Sequence, residues 1–262
     1  MTMAGPEKPS SAAALFDLSG RTALVTGASR GIGVRAARIL DAAGARVVLC
    51  ARDTARLEEV AATLRNEPLV VTADLTSGDG VAALVGGLER HSAVVDILIN
   101  NAAANVAASA IDLSEQDWDR VQGLNLRSAF LLTRALAPGM AGRGWGKVVN
   151  VASVLGFVAD THLSAYVTSK AGLLGLTRAL GAEWARHGVS VNALCPGWID
   201  TEMTADVKSR ATFDQRVRRR TPIGRWGTAD DLAGAFLFLS SPASDFMVGQ
   251  ALVVDGGLTA TW

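Results

Sequence analysis

Thr22-Ala23-Leu24-Val25 is an unbroken apolar run, and from Gly31 to Ala43 apolar residues (Ile32, Ala36, Ile39, Leu40) recur on one helical face until Gly44 ends the pattern. Between them lies Thr26-Gly27-Ala28-Ser29-Arg30-Gly31-Ile32-Gly33. A buried strand that turns on glycines straight into a helix gathers free backbone N–H groups and the positive end of the helix dipole at one point. The glycines let that backbone come close to a pyrophosphate. The strand before and the helix after are the context in which such a turn binds a dinucleotide, with Gly27, Ser29, Arg30, Ile32 and Gly33 as its candidate contacts.

The rest of the chain repeats strand, loop and helix. Strands are expected at Arg46–Cys50, Pro68–Thr72, Asp96–Ile99, Gly146–Val151, Ser190–Leu194 and Ala251–Val254, and helices near Asp53–Asn66, Asp79–His91, Ser114–Met140, Ser164–His187, Thr201–Arg219 and Ala229–Ser240. The strands are continuous runs of Val, Ile and Leu, so they belong to a parallel sheet covered on both faces. The expectation is a Rossmann-type doubly wound α/β fold of about seven strands with helices on both faces. No repeat or linker divides residues 17–262, which read as one catalytic domain with 197–225 as a substrate lid. Residues 1–16 (MTMAGPEKPSSAAALF) read as a disordered tail.

Composition removes several function classes. Lys+Arg 25 against Asp+Glu 25 leaves no basic face for nucleic acid or an anionic membrane. Two cysteines without zinc spacing imply no metal and a reducing, cytoplasmic compartment. The first 16 residues lack the basic start and apolar stretch of a signal peptide, and no run approaches the ~18 apolar residues of a membrane span. His91, His162 and His187 are scattered and read as solvent-facing or turn residues. Cys50 and Cys195 sit on buried strand ends and read as small hydrophobes.

The second strand ends Cys50-Ala51-Arg52, without the acidic residue that would hold an NAD ribose hydroxyl. Ala51 takes away a carboxylate that would repel a 2′-phosphate, and Arg52 adds a guanidinium that can grip one; Arg30 can reach the same group. NADP(H) is favoured over NAD(H). The other reading makes Arg52 a solvated helix-start residue and gives the ribose of NAD to Asp53.

Tyr166 and Lys170 are four residues apart on an expected helix, so they share one face. A phenol titrates near ~10, and a neighbouring cation that lowers this value makes it usable as a general acid/base. Tyr166 is also the chain's one tyrosine.

The glycine turn, Asn100-Asn101-Ala102-Ala103, Ser153, Tyr166-x-x-x-Lys170 and Pro196-Gly197 occur in the order seen in short-chain dehydrogenases/reductases, and the resemblance spans about residues 17–258. One departure is Ala103, where the family commonly has glycine. The resemblance implies a ketone/secondary-alcohol oxidoreductase in which Ser153 hydrogen-bonds the substrate carbonyl, Tyr166 donates the proton, and Lys170 binds the nicotinamide ribose while depressing the Tyr166 pKa. Asn125 looks like the fourth catalytic member, holding a water that links Lys170 to solvent. Asp74 and Leu75 resemble the pair that receives the adenine, and the Asn101-Ala102 backbone would line the adenosine ribose. Pro196, Gly197, Ile199 and Thr201 would close over the nicotinamide carboxamide.

Asp74 otherwise reads as a helix cap, Ser153 as a turn former and Asn125 as a helix-interior amide. Residues 200–225 hold seven basic against four acidic side chains, which fits either attraction of an acidic substrate or a solvated helix face. Local sequence resembles both gluconate-type polyol dehydrogenases and 3-oxoacyl-carrier reductases. A catalytically silent NADP(H)-binding regulatory protein is the rival reading. Family members commonly assemble as dimers or tetramers through the two long helices and the last strand. Phe130, Leu131, Leu132, Leu173, Leu174, Leu176, Leu180 and Trp184 supply an apolar surface that allows a homodimer or homotetramer here.

Overall fold

A computed structural model describes residues 11–261. Its strands are β1 (Thr22–Thr26), β2 (Arg46–Ala51), β3 (Leu69–Thr72), β4 (Ile97–Asn100), β5 (Gly146–Val151), β6 (Val189–Pro196) and β7 (Ala251–Val254). They form one sheet in the order β3-β2-β1-β4-β5-β6-β7, with every pairing parallel. The seven expected strands are thus present, with ends shifted by a residue or two.

The apolar runs are unbroken because both sheet faces are covered. In β1, Ala23 and Val25 enter one core with Val47 and Leu49 of β2 and Ile97 and Ile99 of β4. The alternate residues Leu24, Val48 and Leu98 enter the other. Helices α2 (Gly31–Ala42), α3 (Thr54–Ala61) and α10 (Ala233–Ser240) cover the first face. Helices α4 (Gly78–Arg90), α6 (Ser128–Gly142) and α7 (Ser164–Trp184) cover the second. The strand order reverses between β1 and β4, so the loops leaving these strands part and open a crevice at the carboxyl ends of the sheet.

The helices depart from expectation in informative ways. The helix expected over Ser114–Met140 is α5 (Glu115–Gln122), a π-helical turn at Gly123–Arg127, and then α6. At Gly123 a Cβ would lie 2.7 Å from the Thr76 carbonyl oxygen, so the widened turn sits against a neighbouring loop. Helix α3 stops at Ala61, short of the expected Asn66, because the Asp41 carboxylate takes the backbone N–H groups of Arg65 and Asn66 at 2.9 Å each.

The lid helix expected over Thr201–Arg219 divides into α8 (Ala205–Ser209) and α9 (Ala211–Arg220) at Arg210, whose ψ of 107° is extended. Trp198, Phe213 and Trp226 pack edge to face and fix α9 against the segments that flank the lid. The lid's cations are largely paired: Arg210 with Asp206, Arg218 with Asp214, Lys208 with Asp200, Arg216 with Asp160 and Arg225 with Asp231. A solvated face with most of its cations paired, two of them to Asp160 and Asp231 outside the lid, is the reading these pairs support.

Of the tail expected over 1–16, residues 1–10 lie outside the described residues. Ala12–Leu15 form α1, a single helical turn, because the Ser11 hydroxyl accepts the Ala14 N–H at 3.2 Å. Leu132, Leu173, Leu174 and Leu180, expected as part of an apolar outer surface, are buried within the chain itself; Phe130 remains exposed. Among the described residues no helix is long and apolar enough to cross a membrane.

Candidate active site

A cavity of about 900 Å³ opens at the carboxyl ends of the strands. Its wall takes Gly27, Ser29, Arg30 and Ile32 from the β1–α2 turn, Arg52 from the end of β2, Asp74 and Leu75 after β3, and Asn101 and Ala102 after β4. Ser153 joins from beyond β5, Tyr166 and Lys170 from α7, and Pro196, Gly197, Ile199 and Thr201 from the end of β6. Two expected site residues, Gly33 and Asn125, stand behind this wall. Ala103, the departure from the family pattern, lines it without a positive φ, so an alanine fits there unstrained.

The glycine turn is locked to β4. Thr26 Oγ1 accepts the N–H groups of Asn101 and Ala102 at 3.0 Å each and donates to the Ile99 carbonyl at 3.2 Å, while Asn101 Nδ2 donates to the Thr26 carbonyl at 2.9 Å. Gly27 has a φ of +65°, and a Cβ there would lie 2.9 Å from the Ala102 Cα. The helices α3, α4 and α5 are capped by the side chains of Asp53, Ser77 and Ser114; α2 begins after Arg30 with no side-chain cap. Its first N–H groups, at Gly31 and Ile32 on the cavity wall, are left to an outside acceptor such as a pyrophosphate. The residues present therefore fit a dinucleotide.

At the adenosine end, Arg52 is 70% exposed and its Nη1 lies 4.0 Å from Asp74 Oδ2. Asp74 Oδ1 accepts from the Thr76 N–H at 3.1 Å and the Thr76 hydroxyl at 2.9 Å. The cap of α4 is Ser77, so Asp74 is not a helix cap. Two residues not expected in the site complete this end: Arg56, in the first turn of α3 beyond its cap Asp53, and Glu202 of the lid. Its place in the first turn of a helix that starts beside Arg52 is the signal that Arg56 carried.

At the other end, Ser153 follows β5 and its hydroxyl accepts the Leu155 N–H at 3.1 Å, which starts a short 3-10 turn. Lys170 is buried, with Nζ 5.5 Å from the centroid of the Tyr166 ring and donating to the Val151 carbonyl at 2.7 Å. The lysine does not lower the phenol as expected. Burial pushes Tyr166 up to about 12, opposed by the Ser153 hydroxyl, and burial pulls Lys170 down to about 8. The i, i+4 spacing showed the cation but not the loss of water around both groups, and in the chain alone that loss outweighs the attraction.

Asn125 is 2% exposed and occupies the π-helical turn. Its Oδ1 accepts the Ala104 N–H at 2.8 Å, and its Nδ2 donates to the Ala104 carbonyl at 2.9 Å and to Ser169 Oγ at 3.0 Å. Ser169 in turn donates to the Tyr166 carbonyl at 2.7 Å. Both amide hydrogens are committed to protein. The side chain thus ties the loop after β4 to α7 beneath the Tyr166 and Lys170 pair.

His91, His162 and His187 are exposed, and the described residues hold no cluster of metal-ligating side chains. Burial pushes both the Cys50 and the Cys195 thiols up to about 12, so they act as packing groups.

The family described as Enoyl-(Acyl carrier protein) reductase matches residues 27–259. The chain is 41% identical over 250 residues to the gluconate 5-dehydrogenase of Gluconobacter oxydans, covering 94% of this chain and 98% of that one. It is 38% identical to the 2-dehydro-3-deoxy-D-gluconate 5-dehydrogenase of Escherichia coli, with 94% and 98% covered. A crystal structure of a gluconate 5-dehydrogenase from Burkholderia cenocepacia, in complex with NADP and tartrate, superimposes with a TM-score of 0.91 at 37% identity, covering 96% of this chain and all of that one. With the glycine turn, the Ser153, Tyr166 and Lys170 group and the sheet order in place, the chain belongs to the short-chain dehydrogenase/reductase family.

Proposed function

We propose that this chain interconverts a keto sugar acid and its secondary alcohol, with NADP(H) as cofactor and Tyr166 as the general acid/base. One observation carries the reading: a single cavity has the Ser153, Tyr166 and Lys170 group at one end and Arg30, Arg52 and Arg56 at the other. The dinucleotide supplies or accepts the hydride. The glycine turn and the open N-terminus of α2 would hold its pyrophosphate, Arg52 and Arg30 its 2′-phosphate, and Asp74 and Leu75 its adenine. Asn101 and Ala102 would line the adenosine ribose. Lys170 would hold the second ribose, and Pro196, Gly197, Ile199 and Thr201 the carboxamide.

Tyr166 is a protonated phenol at neutral pH, ready to give its proton to a carbonyl oxygen that Ser153 aligns. The Ser153 hydroxyl can donate to that oxygen because its own acceptor role, to the Leu155 N–H, leaves its proton free. Asn125 positions the pair from behind. The sugar-acid substrate follows the relatives named for gluconate; a relative named as a 3-oxoacyl-(acyl-carrier-protein) reductase, 34% identical, supports 3-oxoacyl thioesters as the second reading. Rates with NADPH and NADH on 5-ketogluconate and on a 3-oxoacyl thioester separate the two. The sugar-acid reading falls if the thioester is the better substrate.

A homodimer or homotetramer fits the exposed edge of the sheet: β7 is an outer strand, and Val253, Phe157 and Phe246 are exposed. A monomer mass by light scattering at micromolar concentration would reject it. Two buried free cysteines fit a cytoplasmic setting.

A further inference from the structure

Two guanidinium groups from distant parts of the chain meet on one carboxylate oxygen. Arg30 Nη1, in the glycine turn, lies 3.2 Å from Glu202 Oε2, and Arg56 Nη1, on α3, lies 3.1 Å from the same oxygen and 3.4 Å from Oε1. Glu202 sits on the lid, 172 and 146 residues from these partners. Arg56 also has a carboxylate of its own turn, Asp53, 3.6 Å from its Nε, and still turns Nη1 to the lid. All three side chains line the cavity beside Arg52.

An oxygen held between two guanidinium groups is the arrangement in which arginines hold a phosphate. We propose that Glu202 is a specificity-determining residue for the cofactor: its carboxylate takes, on Arg30 and Arg56, the place of an adenosine 2′-phosphate, which must displace it on binding. This rests on the NADP(H) reading above. Each of the three side chains is about half exposed, so the ion pairs are weak and readily exchanged. A phosphate dianion with three acceptor oxygens competes well with a monoanionic carboxylate, whereas a bare 2′-hydroxyl leaves the carboxylate where it is. The two guanidinium groups hold the Glu202 carboxyl below the usual carboxylate range, Arg56 more than Arg30, so the competitor is charged at any physiological pH. The turn that carries it touches the cofactor loop, since the Thr201 methyl lies 3.3 Å from where a Gly31 Cβ would stand.

The test uses the full chain and two fragments, adenosine 2′,5′-bisphosphate and 5′-AMP, with affinities measured by calorimetry alongside NADPH and NADH. Glu202→Gln is expected to tighten NADPH and the bisphosphate by about three- to tenfold and to change NADH and 5′-AMP by less than twofold. In an Arg30→Met, Arg56→Met background the same substitution is expected to change nothing. Retained 5′-AMP binding shows that each variant is folded. If Glu202→Gln leaves bisphosphate affinity unchanged or weakens it, the proposal is wrong. It is equally wrong if NADH weakens, because Glu202 would then be holding the 2′-hydroxyl. A wild-type chain with no preference for the bisphosphate over 5′-AMP overturns the NADP(H) reading instead. In that case a gain by the Gln variant still supports the role of Glu202, and no gain removes it.

Discussion

A Cβ on Gly33 would stand 2.2 Å from the Gly27 carbonyl oxygen, so the first turn of α2 packs on the glycine turn with no room for a side chain. Gly33→Ala must push the two backbones apart. We expect a loss of about 1–3 kcal/mol in unfolding free energy, the usual cost of overpacking, and a more than tenfold weaker dinucleotide. Urea titration and cofactor calorimetry check the two; a variant with native stability and affinity would mean that the turn yields freely.

Asn125→Ala removes three hydrogen bonds and leaves the Ala104 N–H and carbonyl without their partner. Unsatisfied groups of this kind cost about 1–3 kcal/mol each when buried. Because the amide positions the loop and α7, kcat is expected to fall more than KM rises. Unchanged kcat in the Ala variant would confine Asn125 to stability.

The resemblance named Asn125, but the turn that holds it and its partners were hidden in the sequence. Leu124-Asn125-Leu126 keeps a helical apolar rhythm, so nothing local announces the π-helical turn that the loop at Ala104 draws out. The break at Arg210 likewise depends on Trp198 and Trp226, outside α9, and Glu202 is one acidic residue whose partners lie far away in the chain. What could be read was whatever depends on near neighbours: the strands, buried on both faces and so uniformly apolar, the glycine turn, and Tyr166 with Lys170 one helical turn apart. Burial of that pair is a property of the whole fold, which is why the direction of the Tyr166 shift ran opposite to expectation.

The pH dependence follows from the values of this pair. Reduction uses the phenol, and with Tyr166 at about 12 it stays loaded, so initial rates of reduction should be flat from pH 6 to 8. Oxidation uses the phenolate and should rise with pH. Lys170 is held down to about 8, so it is mostly cationic at neutral pH and loses that charge as pH rises through this value. By these values Lys170 is neutral before the phenol ionises, so Lys170→Met is expected to leave the oxidation limb where it is and to weaken NADP(H) binding through the lost ribose contact. A limb moved to higher pH would mean that Lys170 stays cationic beside the phenolate, and unchanged cofactor affinity would remove its ribose role.

The most direct test of the account is the initial rate of NADPH oxidation with 5-ketogluconate by the unaltered chain and by Tyr166→Phe. General acid catalysis contributes about 10²–10⁴-fold. We expect turnover by the first and a fall of that order in kcat for the second, with NADPH bound equally well by both. Full turnover by the Phe variant would contradict it.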